Sequence, residues 1–88
     1  MNNGLFITFE GGEGSGKTTQ IALLSDYLSS KSYKVYVTRE PGGSIGAESI
    51  RNLLVTGNPD KWDSETEALL MYAARRDNYI RVIKPNLN

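Results

Sequence analysis

An α/β fold built on parallel strands is predicted by three observations. A short apolar run, Leu5-Phe6-Ile7-Thr8-Phe9, leads straight into a glycine-rich bend, and a stretch of helical pattern follows. A second β-prone run, Lys34-Val35-Tyr36-Val37-Thr38, comes after that helix. Strand, helix and strand within about 35 residues form a βαβ unit, with a right-handed crossover and parallel strands.

The elements follow in order. Residues 5–9 are short and β-prone enough for a buried strand, and residues 10–16 form the bend. The first helix is expected over about residues 17–30, with Ile21, Leu24 and Leu28 as its inward stripe and Leu23 and Tyr27 beside it. Ser29, Ser30 and Ser32 weaken its end. The second strand, residues 34–38, is β-branched and aromatic. Arg39-Glu40-Pro41-Gly42-Gly43 forms a loop at its carboxyl end, because proline and paired glycines continue neither regular element. A second helix is expected over residues 44–54, with Ile50, Leu53 and Leu54 facing inward, and residues 56–60 break it. Ser64-Glu65-Thr66-Glu67 has capping-box form, so a third helix is expected to start there with Ser64 as its cap and to run to Lys84, stopped by Pro85. Leu69, Tyr72, Ile80 and Ile83 share one face of it, and Arg76 falls within that stripe. An arginine among apolar residues is costly unless an anion or dense hydrogen bonding meets it. From the residues alone, Arg76 is either a structural ion pair or a ligand contact, while Arg75 points outward toward solvent.

The bend carries the chemistry. Residues 11–18, Gly-Gly-Glu-Gly-Ser-Gly-Lys-Thr, fit the G-x-x-x-x-G-K-[ST] pattern, with a strand pattern before and a helix pattern after. Gly11, Gly12, Gly14 and Gly16 let the backbone turn tightly and bring its N–H groups up to an anion. The helix that follows adds unpaired N–H groups and the positive end of its dipole. Lys17 supplies a cation for β- and γ-phosphates, and Thr18 a hydroxyl for Mg²⁺. The feature points to a nucleoside triphosphate and to phosphoryl transfer.

Composition narrows the choices. The chain has 88 residues, enough for one small domain, with 39% hydrophobic and 23% charged residues. Ten basic and ten acidic residues cancel, so no broad nucleic-acid-binding surface is indicated. Without cysteine there are no disulfides or thiolate metal sites, which fits a reducing compartment. Without histidine there is no imidazole base. The start, Met-Asn-Asn-Gly, is not that of a signal peptide, and no apolar run reaches membrane-spanning length. The expected location is the cytoplasm.

Three blocks together resemble a known family. They are residues 6–20, Phe-Ile-Thr-Phe-Glu-Gly-Gly-Glu-Gly-Ser-Gly-Lys-Thr-Thr-Gln; residues 38–43, Thr-Arg-Glu-Pro-Gly-Gly; and residues 67–76, Glu-Ala-Leu-Leu-Met-Tyr-Ala-Ala-Arg-Arg. In this order and spacing they resemble bacterial thymidylate kinases. The resemblance implies the P-loop nucleoside monophosphate kinase fold, a parallel sheet with flanking helices, of which residues 1–88 would be the amino-terminal part of a single domain holding about two strands and three helices. It implies phosphoryl transfer from ATP to thymidine 5′-monophosphate with Mg²⁺, giving the diphosphate for dTTP and DNA precursor synthesis. By position, the loop from Gly11 through Gly12, Glu13, Gly14, Ser15, Gly16, Lys17 and Thr18 to Thr19 would hold ATP, with Thr18 at the metal. Glu13 would also meet the acceptor's deoxyribose. Arg39 matches a residue near the acceptor phosphate and reaction centre, and Arg51 a position near the thymine in some members. Tyr72 stands where the family usually has a phenylalanine stacking on the base. Arg76 matches an arginine gripping the monophosphate, so Lys17, Arg39 and Arg76 would be the catalytic set. Family members usually form homodimers; neither a nucleic acid nor a membrane is an expected partner.

Two departures stand out. Gly14 occupies a position where some members carry an arginine, so the chain resembles the branch that supplies this arginine from a lid. The family's third strand with its Asp-Arg motif, its lid and its adenine-binding segment have no counterpart in these residues, and the third strand would lie between the two present. The 88-residue chain alone is therefore expected to be marginally stable or to associate with other chains, and its activity by itself is left open by the sequence. The alternatives are another nucleoside monophosphate kinase, which the Arg-Glu-Pro-Gly-Gly block argues against, and a non-catalytic remnant that holds nucleotide phosphates. A GTPase-type switch is more distant, since no guanine-reading motif is visible.

Overall fold

The structure, a computed structural model, describes residues 4–12 and 14–87. They fall into two compact units, residues 5–37 and residues 38–87 joined by Gly4.

In the first unit the helix forms as its pattern predicts. Helix α1 spans Lys17–Ser30, with Gly16 as N-cap. Ile21, Leu24 and Leu28 are half-buried, while Leu23 and Tyr27 are each 59% exposed, so the expected stripe is the inner one. The helix ends in a Schellman arrangement: Ser32 N–H donates to the Ser29 carbonyl at 3.0 Å and Tyr33 N–H to the Leu28 carbonyl at 3.1 Å. Ser32 takes the left-handed position, with φ 70°, that glycine or asparagine usually fills.

The two expected strands are not formed. Residues 5–9 and 34–38 carry neither ladder nor helix, and no strand is present among the described residues. A strand exists only through hydrogen bonds to a neighbouring strand. Here the apolar side chains stay uncovered, Leu5 at 88% and Tyr36 at 59% exposure.

The second unit holds the buried residues. Helix α2 spans Ile45–Val55 and starts at Ser44, whose Oγ accepts from Ala47 N–H at 3.1 Å. Helix α3 spans Ser64–Asn78. Its cap is Asp63, which accepts from Thr66 N–H at 3.3 Å, so Ser64 is the first helical residue rather than the cap. An aspartate one position earlier outcompetes the serine because its carboxylate also meets the positive helix end. The helical path does not stop at Pro85. A π-helical turn, Tyr79–Ile83, follows α3, with Lys84 N–H reaching back to the Tyr79 carbonyl, and a short helix α4 covers Lys84–Leu87. Pro85 lies in the first turn of α4, where a missing N–H costs little.

Helices α2 and α3 pack against each other, and the inner face is not the one the large side chains suggest. Leu70, Ala74, Asn78 and Val82, four residues apart, form the buried or half-buried row. Leu69 and Tyr72 are 69% and 66% exposed, and Arg76 is exposed with them; of the expected stripe only Ile83 is buried. On α2 the buried position is Ala47, with Ile50 and Leu54 half-buried and Leu53 exposed. Ala47 and Ala74 have no exposure at all, as a close helix contact requires. Replacing Ala47 by leucine is expected to overfill this contact and lower the unfolding free energy by about 1–3 kcal/mol, read from urea unfolding with an unchanged slope.

Candidate functional site

The phosphate-type loop lies in the unit of residues 5–37. Gly14 and Gly16 take φ of 78° and 84°, a left-handed backbone that side chains resist. Ser15 N–H donates to the Gly12 carbonyl at 3.3 Å and Gln20 N–H to the Gly16 carbonyl at 3.0 Å, so the bend closes on itself and opens α1 directly. Gly16 offers no side chain to cap α1, and among the described residues no side chain caps it. A Cβ at position 12, 14 or 16 would meet no atom within 4 Å, so this side of the loop is uncovered. Lys17 Nζ folds back to donate to the Gly11 carbonyl at 3.2 Å and has no acidic partner among the described residues. Thr18 and Thr19 are exposed. Unpaired amides, an ammonium without a carboxylate and an exposed hydroxyl fit a polyphosphate with its metal ion. Glu13 lies outside the described residues.

The other candidates lie in the unit containing residues 38–87. The loop 39–43, with a cis peptide at Glu40–Pro41, is tied down through Arg39, Glu40, Pro41 and Gly43. Thr38 Oγ1 donates to Asn78 Oδ1 at 3.1 Å, and Ser44 Oγ to Asp77 Oδ2 at 2.5 Å, so neighbouring residues at the end of α3 hold both ends. Gly43 must be glycine: its φ is 103°, and a Cβ would collide with Asn78 Oδ1 and Thr38 Oγ1. Asn78 is fully buried, and its Nδ2 has no hydrogen-bond partner among the described residues.

Both arginines flanking this loop are held by carboxylates. Arg39 donates from Nε to Glu48 Oε2 at 3.0 Å and from Nη2 to Oε1 at 2.5 Å. Gly43 N–H adds a bond to Glu48 Oε2 at 2.7 Å. The Arg39 guanidinium, then the Gly43 amide, lower the Glu48 carboxyl from its ordinary 4.5 to about 2. Arg75 grips Glu40 through Nε and Nη2, both to Oε1, at 3.1 and 2.9 Å, and lies 6.0 Å from the Tyr72 ring centroid. Glu40 raises the Arg75 guanidinium above its usual range. Arg51 Nη1 donates to the Pro41 carbonyl at 3.0 Å. An open depression of about 570 Å³ along α2 is lined by Arg39, Arg51, Glu48, Gly43, Ile45 and Val55 among others.

The predicted residues are thus only partly gathered. Arg39 and Arg51 share one depression. Tyr72 and Arg76 lie on the uncovered face of α3, and Arg76 makes no ion pair among the described residues, so the burial argument for it does not hold. Glu48 and Arg75 were missed by sequence reasoning. Arg75 was read as solvated, yet it is anchored by Glu40, and no local spacing links residues 40 and 75. For Glu48 a signal existed: it is an acid in the first turn of α2, nine residues from an arginine in a loop that precedes the helix.

Comparison with known proteins adds the following. The family model described as thymidylate kinase matches residues 9–88. The chain is 62% identical to a thymidylate kinase of Caulobacter vibrioides over 87 residues, 99% of this chain and 42% of that protein. It is 57% identical to a thymidylate kinase of Ruegeria pomeroyi, covering 96% of this chain and 40% of that protein. The crystal structure of thymidylate kinase from Ehrlichia chaffeensis superposes with a TM-score of 0.84 at 49% identity, over 97% of this chain and 48% of that one. The chain therefore spans about two-fifths of the length of the curated relatives it matches, and it shares the P-loop kinase fold over that span.

The Glu48 contact carries a pH dependence. A lowered carboxyl stabilises the folded state fully above its ordinary value and loses that contribution as pH falls. Urea midpoints are expected to drop between about pH 4.5 and pH 2, and Glu48→Gln to flatten the drop in that window.

Proposed function

We propose a function from one premise: the chain belongs to the thymidylate kinase family. The function is transfer of the γ-phosphoryl group of ATP to thymidine 5′-monophosphate, giving the diphosphate. Residues 1–88 form the amino-terminal part of a single P-loop kinase domain in this reading. The observation that carries it is the uncovered amide face ahead of α1, with Lys17 beside it and no carboxylate partner among the described residues.

The loop amides from Gly11 to Thr19 and the Lys17 ammonium bind the triphosphate, and Thr18 holds Mg²⁺. When bound, ATP supplies the transferred group and the metal offsets charge on its oxygens. Glu13 meets the deoxyribose of the acceptor. Tyr72 covers the thymine, with Arg51 near it. Arg39 and Arg76 offset the charge of the acceptor phosphate, and Arg75 is a third candidate for that role because Glu40 already orients it. The acceptor's phosphate oxygen is ionised at neutral pH, so a chain without histidine lacks nothing it needs as a base. The residues work by aligning two anions and offsetting their repulsion.

The same reading gives a cytoplasmic homodimer. Large apolar side chains exposed on α2 and α3, Leu53, Val55 and Leu69, support an assembling surface.

A coupled assay with ATP, Mg²⁺ and thymidine monophosphate tests the reaction. Turnover is expected to fall by roughly 100-fold or more in Lys17→Ala, as for loss of a group that stabilises transition-state charge. Binding of both nucleotides without turnover would instead mark a phosphate-holding module. Calorimetry on Arg39→Ala, Arg75→Ala and Arg76→Ala ranks the arginines. Loss of a phosphate contact is expected to weaken thymidine monophosphate about tenfold or more while leaving ATP unchanged, and an arginine whose removal changes neither leaves the site.

A further inference from the structure

Glu48 is anchored more fully than a surface carboxylate needs to be. It stands early in α2 and accepts three bonds, two from the Arg39 guanidinium and one from the Gly43 amide. The backbone makes room for it: Gly42 takes φ of 134°, and a Cβ there would collide with Glu48 Oε2. The loop it meets is itself fixed, with Thr38 held by Asn78 and Ser44 by Asp77.

The contact decides which way Arg39 points. A guanidinium has five N–H groups in a rigid fork. Glu48 takes the one on Nε and one on Nη2. Both groups of Nη1 and the second of Nη2 remain, on the edge turned away from the carboxylate. The Arg39 side chain is 57% exposed, so this edge is open, and it borders the depression that Arg51 also lines. With its backbone held by the loop, the head of a long flexible side chain is oriented by Glu48. An arginine already ordered loses less freedom when it grips an anion.

We propose that Glu48 is the positioning residue for Arg39, holding its guanidinium side-on so that the free edge receives the phosphate of a nucleoside monophosphate in the depression shared with Arg51. This rests on the acceptor reading of Arg39 given above. The charges make the idea sharp. Removing a carboxylate beside two arginines raises the local positive potential, which by Coulomb attraction alone tightens an anion. Positioning has the opposite sign.

The test is calorimetry on the whole chain with two probes, thymidine 5′-monophosphate and thymidine. Glu48→Ala is expected to weaken the monophosphate about tenfold and leave the nucleoside unchanged, with Glu48→Gln in between because it keeps the shape and loses charge assistance. A monophosphate bound equally well or more tightly by both variants overturns the proposal, as does an equal loss for both probes. Nitrogen-15 spectra of the arginine Nε–H read the positioning without any ligand. A distinct, slowly exchanging Arg39 signal is expected in the unmodified chain and a signal averaged with solvated arginines in Glu48→Gln. An Arg39 signal already averaged in the unmodified chain overturns the proposal whatever the variants do. If the unmodified chain binds no thymidine monophosphate, the acceptor reading falls and this proposal with it; failure only in the comparison of variants removes the proposal alone.

Discussion

Fixing the segment 38–44 against α2 and α3 is the constraint on which the unit of residues 38–87 depends. The apolar material available there is slight. The fully buried side chains are two alanines and an asparagine, and most large apolar residues of both helices remain exposed. Burial on that scale does little to select one packing. Directional bonds do the selecting: Asn78 and Asp77 hold the ends of the segment, Glu48 and Arg75 hold its charged residues, and Arg51 holds the Pro41 carbonyl. Each needs a defined backbone, which explains the left-handed glycines at 42 and 43. The segment that carries Arg39 and Glu40 is therefore fixed mainly by polar ties.

The loop ahead of α1 is built on the opposite plan. Gly12, Gly14 and Gly16 face open space; among the described residues its helix has no side-chain cap, and its lysine is bonded to a carbonyl of the same loop. Unsatisfied amides at a helix start are a cost that a bound anion removes. One segment is held by several internal partners and the other has few among the described residues. That contrast agrees with the proposed function, in which the loop receives a polyphosphate and Arg39 and Arg75 are oriented in advance for a smaller anion.

Local signals were legible and long-range ones were not. The α1 span, its half-buried stripe and the break after α2 follow from periodicity and turn residues. The glycine-lysine-threonine pattern located the loop because every residue type in it answers a need of the backbone. The strands failed for a physical reason: residues 5–9 and 34–38 have strand composition, but a ladder needs a partner, and composition does not supply one. The inner face of α3 was misjudged because large apolar residues were assumed to point inward, whereas α2 approaches where the side chains are small, at Ala74. Arg76 was then credited with a burial it does not have. Glu48 and Arg75 escaped notice since their partners are set by the loop's path, not by helical spacing.

The uptake of a polyphosphate by the loop before Lys17 bears most directly on the whole. Isothermal titration of the folded chain with ATP, with and without Mg²⁺, measures it. Saturable one-to-one binding that needs the metal and disappears in Lys17→Ala is the expected result. Absence of any magnesium-dependent binding to folded protein would contradict it.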